Sequence, residues 1–111
     1  AVADAFYTVP PAQSPVLLLS GGADPATPPR HGARVSKALG DKAQHIVVPQ
    51  AGHGVMGIGC MRDVLYRFIA AADDASALLQ DAACATKLPR PGVFLPVQTG
   101  APTDAQTGAK P

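Results

Sequence analysis

The chain has 111 residues, of which 47% are hydrophobic and 15% charged, with a net charge of +1. That is the size of one domain or less, and too apolar for a disordered chain. The near-neutral charge and an aromatic fraction of 5% exclude the basic, aromatic-studded face that nucleic acid binding needs. No apolar run reaches about 18 residues, so no membrane-spanning helix is expected. Ala1-Val2-Ala3-Asp4 has neither a basic region nor a long apolar stretch, so no signal peptide is expected there. The chain does not start with Met, and a processed product, a cut fragment or an excised domain is the expectation.

Residues 1–15 are Pro-rich and read as an irregular lead-in. The short apolar run Val16-Leu17-Leu18-Leu19, stopped by Ser20-Gly21-Gly22, predicts a strand buried on both faces. Thr27-Pro28-Pro29 is a helix-start signal, with Thr27 as the expected N-cap. The helix that follows puts Val35, Ala38 and Leu39 on one face and ends at Gly40. His45-Ile46-Val47-Val48 predicts a second strand, stopped by Pro49. A glycine-rich loop leads into an amphipathic helix over Cys60 to Ala72. Met61, Val64, Leu65, Phe68, Ile69 and Ala72 form its apolar stripe, and Arg62, Asp63 and Arg67 fall outside it. A short helix after Asp74, including Leu78 and Leu79, completes an α/β segment over 16–88. From Pro89 the sequence turns Pro/Gly-rich, and 89–111 is expected to be a flexible tail.

Strand–helix–strand–helix order predicts a parallel α/β unit. Strands apolar on both faces need neighbours and covering helices that two strands and two to three helices do not supply. The fold class is therefore α/β, read as one end of a larger parallel sheet and incomplete on its own.

Reactive groups of open α/β sheets sit just past the carboxyl ends of the strands. Asp24 and His53 occupy such positions. In parallel strands both emerge at one edge, where a carboxylate can accept the Nδ1–H of the histidine and leave Nε2 as general base. That arrangement requires a separation of roughly 2.6–3.2 Å. The glycines beside His53 are expected to give the loop positive φ and to keep the site open. A turn-forming role for Asp24 and a solvated loop role for His53 are the plain alternatives.

Other patterns offer different chemistry. Gly52-His53-Gly54-Val55-Met56-Gly57 fits the G-x-G-x-x-G spacing of dinucleotide-binding loops, with Asp73 further on. Against it, Pro49-Gln50-Ala51 separate the glycines from the strand, and the helix begins nearer Cys60. His31, His45, His53, Cys60 and Cys84 lack metal-ligand spacing, and His45 reads as structural. No cofactor is expected. Cys60 and Cys84 are either two thiols or one disulfide, and spacing alone leaves both open.

The segment Pro15-Val16-Leu17-Leu18-Leu19-Ser20-Gly21-Gly22-Ala23-Asp24-Pro25-Ala26-Thr27-Pro28-Pro29 resembles the acid-bearing segment of α/β-hydrolases. His45-Ile46-Val47-Val48-Pro49-Gln50-Ala51-Gly52-His53-Gly54 is similar to their last strand and histidine loop. The closest likeness is to the C-terminal region of tripeptidyl-aminopeptidase-like and prolyl-aminopeptidase-like serine peptidases, over roughly residues 15–95. The resemblance implies an aminopeptidase-type serine hydrolase acting on peptides or small amides and esters. Asp24 and His53 would be its triad acid and base, and Cys60 and Cys84 would be bridged. It implies a secreted or periplasmic location and specificity set largely by lid segments. Ser14, Ser20, Ser36 and Ser76 all lack the Gly-x-Ser-x-Gly setting of the family nucleophile. The chain alone is therefore expected to be inactive, with the serine on an N-terminal portion of the same hydrolase as its partner. A non-catalytic module that kept the packing is the alternative, along with dinucleotide binding through Gly52–Gly57.

Overall fold

The computed structural model describes residues 2–90 together with Gly92 and Pro96. Most of the expected 89–111 tail lies outside the described residues. The lead-in contains one 3-10 turn, Asp4–Tyr7, all of it exposed.

Two strands form a parallel sheet, β1 (Val16–Gly21) and β2 (Ala43–Val48), in a register that sets Leu19 beside Ile46 and Gly21 beside Val48. The crossover is helix α1 (Pro29–Leu39), followed by a 3-10 turn at Gly40–Lys42. Gly40 caps α1 at φ 84°, a left-handed conformation that a side chain would oppose. Beyond β2 come α2 (Met61–Ile69), α3 (Asp74–Ala77) and a 3-10 turn at Ala83–Lys87. This is a two-stranded parallel α/β unit, in the strand–helix–strand–helix order expected from the sequence.

Side chains alternate across the sheet. One face carries Leu17, Leu19, Ile46 and Val48 into a core with Ala51, Val55, Met61, Val64 and Ala85. Met61, Val48 and Val64 are its largest fully buried side chains. The opposite face lies under α1, which approaches closely at Gly32. A Cβ there would stand 2.5 Å from His45 Nε2 and 2.7 Å from Ser20 Oγ. Ser20 and His45 share a 2.7 Å hydrogen bond in that layer. Burial holds the His45 imidazole below its ordinary pKa, so the ring is neutral at pH 7.

Three expectations are corrected. β1 is not buried on both faces: Val16 to Leu19 are only half-buried, because β2 is its single strand neighbour among the described residues. The apolar stripe of the long helix is buried only at its start. The helix stops at Ile69, which is 76% exposed, and Ala72 lies beyond it. Only Met61 and Val64, nearest the sheet, reach the core. Leu79 lies outside α3 and is exposed, while Leu78 serves as its C-cap.

Two polar links hold the later segment to β2. Gln44 Nε2 donates to the Gln80 carbonyl at 2.8 Å, and the Gln80 N–H donates to Gln44 Oε1 at 3.1 Å. Cys60, which precedes α2, is disulfide-bonded to Cys84. Closing a loop of 24 residues restricts the unfolded chain and contributes about 3–4 kcal/mol in the chain-entropy account. Replacing both cysteines by alanine is expected to lower unfolding stability by about that amount. The check is the urea midpoint of the double variant against that of the parent.

Candidate active site

The two strands leave the sheet at the same end, and their following loops are stitched together. The Gly22 N–H donates to the Val48 carbonyl at 2.8 Å, and the Ala23 N–H to the Ala51 carbonyl at 2.9 Å. This closeness depends on the missing side chain of Gly21. A Cβ there would collide with the carbonyls of Ala51 and Gly52.

From this base the structure brings Asp24 and His53 together. Asp24 Oδ2 lies 2.9 Å from His53 Nδ1, within the range set above for a carboxylate–imidazole pair. Their surroundings differ sharply: the Asp24 side chain is 3% exposed and that of His53 72%. Oδ1 of Asp24 accepts the backbone N–H of Ala26 at 2.9 Å and of Thr27 at 3.1 Å, an Asx-type turn. Oδ2 accepts the Thr27 hydroxyl at 2.6 Å. These bonds hold the carboxyl far below the ordinary 3.8, the Thr27 hydroxyl contributing most, with burial opposing. The Thr27 N–H, His53 and the Ala26 N–H add to the lowering.

An ionised Asp24 only accepts, so Nδ1 of His53 carries the shared hydrogen. The single Thr27 hydroxyl hydrogen is committed to Oδ2. The 3.2 Å approach of Thr27 Oγ1 to Nδ1 is then a second acceptance of the same N–H. All hydrogen bonds of the ring among the described residues use Nδ1. Two hollows meet at His53. One, of about 290 Å³, is lined by Ser20, Asp24, Thr27 and His31 among others. The other, of about 440 Å³, is lined by Leu19 and the loop Gly54 to Ile58.

Thr27 is the residue that sequence reasoning misassigned. It was expected as the N-cap of α1. Pro28 takes that position, and the Thr27 side chain turns back to Asp24. The readable signal was the spacing from Asp24, since an aspartate often binds N–H groups two and three residues on. The expected positive φ at Gly52 and Gly54, beside His53, is also corrected. Among the described residues the glycines with positive φ are Gly40 and Gly59. Gly52 and Gly54 serve by leaving open space, with nothing within 4 Å of an added Cβ. α2 begins only at Met61, so no helix N-terminus meets the glycines of the G-x-G-x-x-G pattern. Among the described residues no cluster of three or more His, Cys, Asp or Glu could hold a metal ion. None of their helices is long and apolar enough to cross a membrane.

Residues 4–84 match the TAP-like protein family, one of the α/β-hydrolase families. The chain belongs to it. The match begins earlier than the sequence likeness did and spans both strand-end loops and both cysteines. No curated protein and no solved structure matches the chain.

The Asp24 cluster of this TAP-like chain makes a signed pH prediction. Its folded pKa is depressed, so the stabilisation is complete above the unfolded value of 3.8. It is lost as pH falls below that value, because the unfolded state takes up the proton first. Thr27→Val removes the largest cause. The variant is expected to be less stable than the parent at neutral pH, with the gap narrowing below about pH 4. Urea unfolding at several pH values checks the stability gap. Carboxyl NMR titration of Asp24 checks that its pKa rises.

Proposed function

We propose that this chain supplies the acid–base half of a serine-hydrolase triad, with the nucleophilic serine carried by another segment of the same hydrolase. The observation that carries the reading is the 2.9 Å bond between a buried, ionised Asp24 and the exposed His53. Family membership supports the hydrolase class. The likeness to tripeptidyl- and prolyl-aminopeptidase-like enzymes supports peptide, amide or ester substrates.

In this reading His53 Nε2 takes the serine proton as the serine oxygen attacks the carbonyl carbon. The resulting imidazolium, held by Asp24 through Nδ1, passes the proton to the leaving nitrogen or oxygen as its bond to carbon breaks. Water then attacks the acyl-serine, gives its proton to Nε2, and the acid is released as the serine is reprotonated. Asp24 stays ionised throughout and acts through His53 by fixing its tautomer. The disulfide supports a secreted or periplasmic setting, since such bonds persist in oxidising compartments.

A fluorophosphonate probe on the hydrolase that contains this chain tests the reading. Labelling is expected at one serine other than Ser14, Ser20, Ser36 and Ser76, and is expected to be lost in His53→Ala. Asp24→Asn is expected to lower kcat by roughly 10³–10⁴-fold with KM little changed, as a tautomer defect does. Absence of any labelled serine would favour a non-catalytic module. Labelling at Ser20, which is bonded to His45, would also sink the assignment.

A further inference from the structure

Little surrounds the His53 ring to set its direction. Its side chain is 72% exposed, and a Cβ added to Gly52 or Gly54 would meet nothing within 4 Å. Its hydrogen bonds among the described residues join Nδ1 to Asp24 Oδ2 and to Thr27 Oγ1. One hydrogen bond fixes a distance but lets the ring swing about its acceptor. A second acceptor, set in a different direction, removes that freedom. Here the Oδ2–Oγ1, Oδ2–Nδ1 and Oγ1–Nδ1 distances of 2.6, 2.9 and 3.2 Å close a triangle.

Thr27 is itself held in place for this. Its N–H donates to Oδ1 of Asp24 and its hydroxyl to Oδ2, so it grips both oxygens of the carboxylate. Pro28 follows, and a residue before proline is confined to extended backbone. A β-branched side chain has few χ1 choices. Pro28 in turn caps α1, which is seated through Gly32 against Ser20 and His45 of the sheet.

We propose that Thr27 is a positioning residue that orients the His53 ring by sharing the Nδ1–H with Asp24. The proposal rests on the acid–base reading above and adds a third group to it. Thr27 acts through Asp24 and His53, and no bond at its own atoms is made or broken. Its hydroxyl hydrogen stays on Oγ1, bonded to Oδ2. When Nε2 takes up the serine proton, the ring becomes a cation and Nδ1–H is drawn more strongly to both oxygens. The fork keeps the ring in one orientation while the proton is passed on. Valine at this position keeps nearly the same shape but lacks Oγ1. Oδ2 alone then holds the ring, which pivots in its open surroundings and is aligned for a smaller share of the time.

The test uses the complete hydrolase, Thr27→Val and Thr27→Ser with one amide substrate near neutral pH. Asp24 remains ionised there, since its ordinary value is 3.8 and three of its donors persist in the valine variant. Rates are referred to the serine titrated with the fluorophosphonate, so unfolded protein is not counted. Thr27→Val is expected to lower kcat by about tenfold to a hundredfold, with KM within about twofold of the parent. Thr27→Ser keeps the hydroxyl and is expected to recover most of that loss. A packing defect gives the reverse order, because serine leaves a larger gap than valine. A parental kcat in Thr27→Val, with the serine labelled, overturns the proposal and leaves the triad reading standing. So does a Thr27→Ser variant as slow as Thr27→Val. Absence of serine labelling in the unaltered protein overturns the triad reading, and this proposal falls with it.

Discussion

Parallel pairing of β1 and β2 carries the rest of the arrangement. Two parallel strands send their chains out of the sheet at the same end, and the register that sets Gly21 beside Val48 makes them leave level. The following loops are then close enough for backbone bonds from Gly22 and Ala23 to Val48 and Ala51. Those bonds fix the origin of each loop, so only a few torsions separate the sheet from Asp24 and from His53. An antiparallel pairing would place the two side chains at opposite ends of the sheet. The glycine at position 21 belongs to the same constraint, because a side chain there would meet the carbonyls of Ala51 and Gly52.

The second constraint is electrostatic. A carboxylate as enclosed as Asp24 is stable as an anion only if donors replace its water. Four groups do so: the N–H groups of Ala26 and Thr27, the Thr27 hydroxyl and the His53 ring. Three of the four come from the turn that Asp24 itself begins, so the acid is largely satisfied before the histidine arrives. The exposed histidine adds to the acid's ionisation, behind the Thr27 hydroxyl and the Thr27 N–H. The acid, in turn, fixes the histidine's tautomer. The ring therefore stays solvent-exposed while its Nδ1 is held by the buried carboxylate.

The outline of this arrangement was readable from the sequence because the signals were local. An apolar run ended by glycines gave β1, the run before Pro49 gave β2, and position past each strand end singled out Asp24 and His53. Gly40 read correctly as a helix stop. What escaped depended on neighbours that local patterns do not encode. Thr27 scores as an N-cap by type and position, yet a buried carboxylate three residues earlier competes for its hydroxyl and wins. The apolar stripe continues to Ala72 in sequence, while the core it faces takes in only Met61 and Val64 of α2. The glycines flanking His53 suggested both unusual torsions and open space, and only the open space is found. The Cys60–Cys84 bond was open on spacing alone, and only the family likeness pointed to it.

The partly covered leucines of β1 connect the fold to the site. Leu17 and Leu19 pack on the core, yet Val16 to Leu19 remain half-buried, since β2 borders only one edge of the strand. Among the described residues no strand pairs with the other edge, which could take a further one. A parallel strand added there would end at the same edge of the sheet as Asp24 and His53, because parallel strands share a carboxyl end. Leu19 already lines both hollows beside His53. In the proposed reading, completing the sheet at β1 and bringing a nucleophile toward Nε2 would be the same geometric step. The uncovered edge of β1 and the proposed acid–base pair thus lie at one end of the same sheet.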